Sequence, residues 1–154
     1  MQVGEIIDWM CRELPGLEVI EREGDLFFYY RPEGAEPDHR MPFATIVTHD
    51  DPHEGGVAGL DRPGVFRFNV SAGPHAYREL FGEPPAAKAD WGVQDTGFDY
   101  SAHDSLMPHP VYSPMGWVCV LNPSEETFRQ LWPLVVAAYE TARRQREARD
   151  GRRA

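Results

Sequence analysis

Histidine and aspartate residues are concentrated in the middle of the chain, where they could bind a metal or carry out acid–base chemistry. The chain contains 6 His, and all but His39 lie between positions 49 and 109. These histidines are His49, His53, His75, His103 and His109, and the carboxylates among them include Asp50, Asp51, Asp99 and Asp104. Imidazole titrates near neutral pH and also binds transition metals, so both kinds of chemistry must be considered.

The segment HDDPH, residues 49–53, suggests a metal site. His49 and His53 supply two imidazoles beside two carboxylates, a mixture that suits zinc, iron or manganese. A His pair four residues apart is diagnostic only on a helix, and Pro52 followed by Gly55-Gly56 opposes a helix here. The alternative is a polar loop built from Asx turns. We therefore expect no cofactor, with a divalent metal at His49 and His53 as the competing hypothesis.

General acid–base catalysis is the second hypothesis. Asp104 adjoins His103 and could orient its imidazole. The candidate catalytic residues are His109, His103, Asp104 and His75. The chain has no Gly-x-Ser-x-Gly nucleophile motif and no glycine-rich phosphate-binding loop, so neither a serine hydrolase nor a nucleotide cofactor is expected.

The segment VFRFNV, residues 65–70, alternates strictly between apolar and polar side chains. In a strand this alternation places Arg67 and Asn69 on one face and the phenylalanines on the other. Arg67 could then clamp an anionic group, unless this face simply meets water. The candidate ligand-binding residues are Arg67, Asn69, Tyr112, Trp117 and His49. Arg67→Ala and His109→Ala are expected to abolish binding without a large change in Tm.

Hydrophobic periodicity, turns and caps predict the elements that position these residues. Glu23-Gly24-Asp25 predicts the turn of a hairpin, and Asn122 is expected to cap a C-terminal helix that Pro133 kinks or splits. The predicted helices are 3–14, 74–81 and 123 to about 147, and the predicted strands are 17–19, 26–30, 43–48, 65–70 and 117–121. The order predicts an α+β domain with a single-layer antiparallel sheet of about five strands, the N- and C-terminal helices packed on one face and the other face open.

Composition and charge limit the partners. The apolar fraction is 42% and the net charge is −10, although the C-terminal segment is rich in Arg. We expect one domain over residues 1–147 and a frayed basic tail over 148–154. An acidic domain repels phosphate backbones, so nucleic acid is not expected as a partner. No apolar run is long enough for a membrane span and no signal peptide is visible, which predicts a cytoplasmic protein. Both cysteines are expected to be buried and reduced.

The C-terminal third, HPVYSPMGWVCVLNPSEETFRQLWPLVVAAYETA, resembles MmcQ/YjbR-type proteins. The matching positions are Pro110, Tyr112, the strand from Trp117 to Leu121, and Tyr139. This resemblance implies a CyaY-like fold, and it implies DNA binding or a role in antibiotic biosynthesis. The loop before Trp117 lacks the lysine of that family, which weakens the DNA-binding interpretation.

The whole chain, with FRFNVS, FGE and MPHPVYSPMGWVCVLNPS, more closely resembles an uncharacterised actinobacterial family of unknown function. From the residues and the resemblance together we predict a small-molecule-binding domain or enzyme of bacterial specialised metabolism or resistance, with its pocket over the open sheet face. The alternatives are an MmcQ/YjbR-like regulatory or nucleic-acid-binding module, and a non-catalytic interaction domain such as a homodimer.

Overall fold

The computed structural model describes residues 1–153, in which six strands and three helices form a mixed α/β domain. The elements are α1 (Val3–Glu13), β1 (Leu17–Arg22), β2 (Asp25–Tyr30), β3 (Ala44–Val47), β4 (Arg67–Ser71), α2 (Pro74–Phe81), β5 (Met107–Pro108), β6 (Trp117–Leu121) and α3 (Glu125–Arg153). The strands form one open antiparallel sheet in the order β1-β2-β3-β4-β6-β5. The α+β class and the antiparallel sheet are confirmed.

The sixth strand, β5, is not predicted from the sequence. It is two residues long and contains Pro108, so it has neither the length nor the alternation that identifies a strand. Its residues pair with β6, with Met107 opposite Cys119. The strand is therefore defined by a neighbour in space and not by its own sequence.

The main hydrophobic core lies on one face of the sheet. Phe68 and Val70 of β4 point into it and are fully buried. Terminal helices supply Ile6 and Met10 from α1 and Phe128 from α3 to the same cluster. We call this the inner face of the sheet.

The outer face carries the alternate residues, and two long loops cover part of it. Residues from these loops, including Leu60 and Tyr100, form a second buried cluster with Cys119 and Leu121 of β6. The sequence predicts that this face is open. The structure shows that it is open only in part, because the loops cover some of it. The loops close over β6 and leave a pocket over β2, β3 and β4.

Helix α3 differs from the prediction at both ends. It begins at Glu125, where the Ser124 Oγ accepts the backbone N–H of Thr127 at 3.2 Å. Asn122 instead lies at φ 42°, and its Oδ1 accepts the Phe66 N–H at 3.0 Å. The helix is continuous through Pro133 and extends to Arg153, so it includes residues 148–153 of the predicted frayed tail, 148–154. Ala154 lies outside the described residues. Tertiary contacts account for this extension, because Arg149 Nε donates to Asp38 Oδ2 at 3.0 Å.

Gly116, which immediately precedes β6, permits a close approach of two backbone segments. It has φ +84°, and a Cβ placed there would lie 2.3 Å from the carbonyl carbon of Gly73. The Gly73 N–H also donates to the Gly116 carbonyl at 3.1 Å. This contact ties the start of α2 to the start of β6.

We expect Gly116→Ala to destabilise the domain by more than Gly34→Ala. Both positions have positive φ, so an alanine pays about 1–2 kcal/mol of backbone strain at either one. Gly34 has open space around its Cβ position, whereas Gly116 meets backbone that must move. Urea unfolding of both variants measures the difference. Equal losses of stability would mean that the contact between Gly116 and Gly73 is not needed.

Candidate functional site

A pocket of about 570 Å³ lies on the outer face of the sheet. This volume is within the usual range for small-molecule sites. Its floor is formed by β2, β3, β4 and the start of β6, and its sides by the loops around residues 49–54 and 109–115. The apolar lining residues are Phe27, Met41, Pro42, Val47, Pro52, Met115 and Trp117. The polar lining residues are Asp25, Thr45, His49, Asp51, Glu54, Arg67, Asn69, His109 and Tyr112.

A buried ion pair occupies the floor of the pocket. The Nη1 and Nη2 atoms of Arg67 each donate to one carboxylate oxygen of Glu54, both at 2.9 Å. The Arg67 side chain is only 2% exposed and that of Glu54 8%. Burial opposes the charge of the guanidinium, but the hydrogen bond to Glu54 and nearby negative charge outweigh it and raise the pKa of Arg67. The Arg67 charge is therefore balanced inside the protein.

Two further side chains fix the orientation of the guanidinium. Arg67 Nε donates to Asn69 Oδ1 at 2.8 Å, and Asn69 Nδ2 donates to Thr45 Oγ1 at 2.9 Å. The three residues all point to the outer face, because Thr45 pairs with Asn69 across β3 and β4. The polar alternation of β4 thus builds an internal hydrogen-bond network, and this face does not meet bulk water at Arg67.

Glu54 was not identified from the sequence. It ends a short 3₁₀ turn, Pro52–Glu54, which begins where Asp51 Oδ1 accepts the His53 N–H at 2.8 Å. Gly55, at φ 63°, then ends the turn. A single arginine within an apolar strand does predict that a carboxylate must pair with it. The sequence does not indicate which of the many acids does so.

His109 lies beside this ion pair and is also buried, at 3% exposure. Its Nδ1 accepts the backbone N–H groups of Val111 and Tyr112, both at 3.0 Å. Its Nε2 lies 3.3 Å from Arg67 Nη2. Burial and the Arg67 charge hold the pKa of His109 well below its usual value, so the ring is neutral at physiological pH. A neutral ring whose Nδ1 lone pair is already used lacks the free nitrogen that a general base requires.

Three aromatic or imidazole groups of the predicted site complete the pocket. The ring of Tyr112 lies 5.0 Å from that of His109, and the buried Trp117 ring lies 6.4 Å from it. His49 is half exposed at the mouth, where its Nδ1 is 3.4 Å from Asp25 Oδ1. The structure therefore brings six of the predicted site residues together, namely Arg67, Asn69, His109, Tyr112, Trp117 and His49.

The other predicted catalytic residues lie outside this pocket. His75 is on the surface of α2, with Nε2 3.1 Å from Glu79 Oε1. His103 is exposed, and its backbone forms a bridge with Leu121. Asp104 accepts the Ser124 N–H at 2.7 Å, and this hydrogen bond lowers the pKa of its carboxyl. Asp104 therefore anchors the segment that leads into α3.

The geometry does not support the metal hypothesis. His53 Nε2 contacts the carbonyl oxygen of Trp91 at 2.6 Å, and the pocket does not include His53. Within residues 1–153, no group of three or more His, Cys, Asp or Glu side chains is arranged to hold a metal ion. His49 and His53 are close in sequence, but the turn between them separates their ring environments.

The two cysteines have different surroundings. Cys119 is buried beneath the outer face, and burial raises the pKa of its thiol to about 12. Cys11 is exposed on α1, which corrects the expectation that both are buried. A thiol with so high a pKa is protonated at neutral pH and is a poor nucleophile, which argues against Cys119 as a catalytic thiol.

Comparison with known proteins gives a family without an assigned activity. Residues 1–151 match a family of unknown function (DUF6194). The chain belongs to that family. No curated protein and no solved structure gives a significant match. In the part of the chain that the structure describes, no helix is both long and apolar enough to cross a membrane.

We expect Arg67→Met to destabilise the domain by about 3–5 kcal/mol, because it leaves Glu54 buried without a partner. Adding Glu54→Met should restore at least about 2 kcal/mol, because the unpaired charge is then removed. This differs from the sequence-based expectation that Arg67→Ala leaves Tm nearly unchanged. Urea unfolding of the single and double variants measures the coupling.

The exposed ion pair between Arg78 and Glu83 provides the matched control. Its Nε to Oε1 distance is 3.0 Å, but its side chains are 49% and 80% exposed. Arg78→Met should change stability by less than about 1 kcal/mol. If Arg67→Met were as mild as Arg78→Met, the buried pair would not contribute to folding.

We also expect the stability of the protein to depend on pH through His109. Below about pH 6.5 the unfolded chain binds a proton at this position, whereas the folded chain does not, because the folded pKa is lowered. The free energy of unfolding is therefore unaffected by His109 above that pH. Below it, the free energy of unfolding falls by about 1.4 kcal/mol per pH unit.

The test compares wild type with His109→Asn, whose Oδ1 can still accept the N–H groups of residues 111 and 112. Between about pH 7.5 and about pH 5.5, the free energy of unfolding should fall by about 1 kcal/mol more in wild type. His103→Asn, at an exposed position, should retain the wild-type pH dependence. The same slope in wild type and His109→Asn would contradict the assignment.

Proposed function

We propose that this domain binds a small organic molecule in the pocket over the outer sheet face, within bacterial specialised metabolism or resistance. The observation that carries the proposal is the combination of apolar walls with a buried polar floor of Arg67, Asn69 and His109. Small-molecule sites in proteins have this composition, because apolar surface supplies affinity and a few fixed polar groups supply orientation. The pocket also has a suitable volume, about 570 Å³.

The polar floor is better suited to recognition than to catalysis. Glu54 engages the Arg67 guanidinium, and backbone N–H groups engage the lone pair of His109 Nδ1. Groups held in this way are rigid, so they bind a ligand without losing much conformational entropy. An enzymatic role would rest on His49 at the mouth, the lining histidine that is half exposed and close to Asp25.

The resemblance to MmcQ/YjbR-type proteins and to actinobacterial chains is a second line of support for this proposal. It supports a CyaY-like arrangement and a role in specialised metabolism. It does not favour nucleic acid, because Asp25 and Asp51 line the pocket and the chain has a net charge of −10.

A second candidate is an interaction domain that forms a homodimer or binds a partner protein. It is favoured by exposed apolar side chains around the pocket mouth, where Met41 is 60% and Tyr112 45% exposed. Light scattering on wild type and on Met41→Ser would measure its stoichiometry. If the protein is monomeric at high concentration, the homodimer hypothesis is excluded.

We expect Val47→Trp to abolish ligand binding, because the larger side chain fills the pocket above Arg67, its cross-strand neighbour. Val57→Trp is the matched control, since Val57 is exposed and does not line the pocket. A fragment library screened by saturation-transfer NMR should give binders to wild type and Val57→Trp that are lost with Val47→Trp. Fragments that bind equally well to Val47→Trp would show that the pocket is not the site.

A further inference from the structure

Nitrogen atoms of two buried side chains, Arg67 and His109, lie close together at the floor of the pocket. Arg67 Nη2 and His109 Nε2 lie 3.3 Å apart. Arg67 is 2% exposed and His109 3%, and both line the pocket. Whether His109 Nε2 can accept a hydrogen bond from Arg67 depends on which nitrogen of the imidazole carries the hydrogen.

The surroundings of Nδ1 determine the tautomer. The backbone N–H groups of Val111 and Tyr112 both point at Nδ1 at 3.0 Å, so Nδ1 must present its lone pair. A neutral imidazole has one N–H, which is then on Nε2. The ring is neutral because burial and the adjacent Arg67 charge lower the pKa of His109.

Nε2–H therefore faces the N–H of Arg67 Nη2, and two donors cannot bond to each other. One Nη2 hydrogen is taken by Glu54 Oε1 at 2.9 Å, which leaves the other for the side of His109. At a separation of 3.3 Å, a single oxygen can lie at normal hydrogen-bond distance from both nitrogens. A water can occupy this point in the free protein, and a ligand oxygen can replace it.

We propose that the pocket selects uncharged aromatic ligands that carry a carbonyl oxygen, which accepts hydrogen bonds from both Arg67 Nη2 and His109 Nε2. This inference rests on the proposed small-molecule site and names the class of ligand that it takes. A ketone or amide oxygen has the two lone pairs that this pair of donors requires.

The charges around the pocket exclude an anionic ligand. Glu54 already balances Arg67, so the guanidinium has no net charge left to offer. Asp25 and Asp51 also line the pocket, which gives its lining an excess of negative charge. A carboxylate or phosphate that contacts the buried floor is repelled by these carboxylates and gives up part of its hydration. The proposal therefore differs from the expectation that Arg67 clamps an anion.

The walls favour an aromatic ring. Phe27 and Trp117 line the pocket from the sheet, and Tyr112 stands over His109 with ring centroids 5.0 Å apart. Aromatic pairs add attraction beyond the apolar area that they bury. A bicyclic ring with its carbonyl at the floor would contact these side chains within the available volume.

The test uses three probes with the same ring system, namely 2-naphthamide, 2-naphthoate and naphthalene. Dissociation constants are measured by NMR titration near neutral pH with wild type, Val47→Trp and Val57→Trp. We expect 2-naphthamide to bind wild type and Val57→Trp about tenfold more tightly than either other probe, because it alone satisfies both donors without a charge. Val47→Trp should lose this binding.

His109→Asn separates hydrogen bonding from pocket shape. Its amide Oδ1 can keep the turn contacts of Nδ1, but the shorter side chain removes the donor at Nε2. We expect it to weaken 2-naphthamide binding about tenfold while leaving that of naphthalene unchanged. Long-range ¹H–¹⁵N spectra of histidine-labelled protein, with the His109 signals assigned by their loss in this variant, should show the hydrogen on Nε2.

Each alternative result identifies the part that fails. If 2-naphthoate or naphthalene binds as tightly as the amide and Val47→Trp blocks it, the ligand class is overturned and the proposed site stands. If the probes bind Val47→Trp with the same affinity as wild type, both the ligand class and the proposed site are overturned. A hydrogen on Nδ1, or failure of 2-naphthamide to bind at millimolar concentration, overturns the carbonyl proposal, and the fragment screen still decides the proposed site.

Discussion

The site depends on one buried ion pair, in which the Arg67 guanidinium holds the Glu54 carboxylate across the outer face of the sheet. Burying either charge alone would be costly, so the loop that carries Glu54 must close over β4 whenever the domain folds. That closure forms one side of the pocket. Asn69 and Thr45 then take positions set by the guanidinium. His109 lies against the same group, with its Nδ1 held by the backbone N–H groups of residues 111 and 112.

Local patterns in the sequence predict most of the fold. The hairpin of β1 and β2, the alternation of β4 and the short helix α2 are each encoded within a few neighbouring residues, and the structure contains them. The prediction fails where pairing in space decides the outcome. Strand β5 exists only because β6 lies beside it, and the last turns of α3 are held by Asp38 from a distant loop.

The candidate site follows the same division. Period-two alternation correctly places Arg67 and Asn69 on the face opposite the main core, and six predicted residues line the pocket. The histidines are close together in sequence, but the fold separates them: His75 is on a helix surface and His53 contacts a backbone carbonyl. Glu54 was missed because its importance comes from Arg67, which is 13 residues away in sequence.

The short edge strand β5 has a consequence for how this protein meets other chains. An edge strand offers free backbone groups to which a foreign strand can add. β5 has only two residues, and Pro108 has no N–H to donate. At the opposite edge, β1 carries the charged side chains of Glu18, Glu21 and Arg22, which oppose strand addition. Intermolecular sheet extension is thus discouraged at both edges, so the sheet is protected from this route to aggregation.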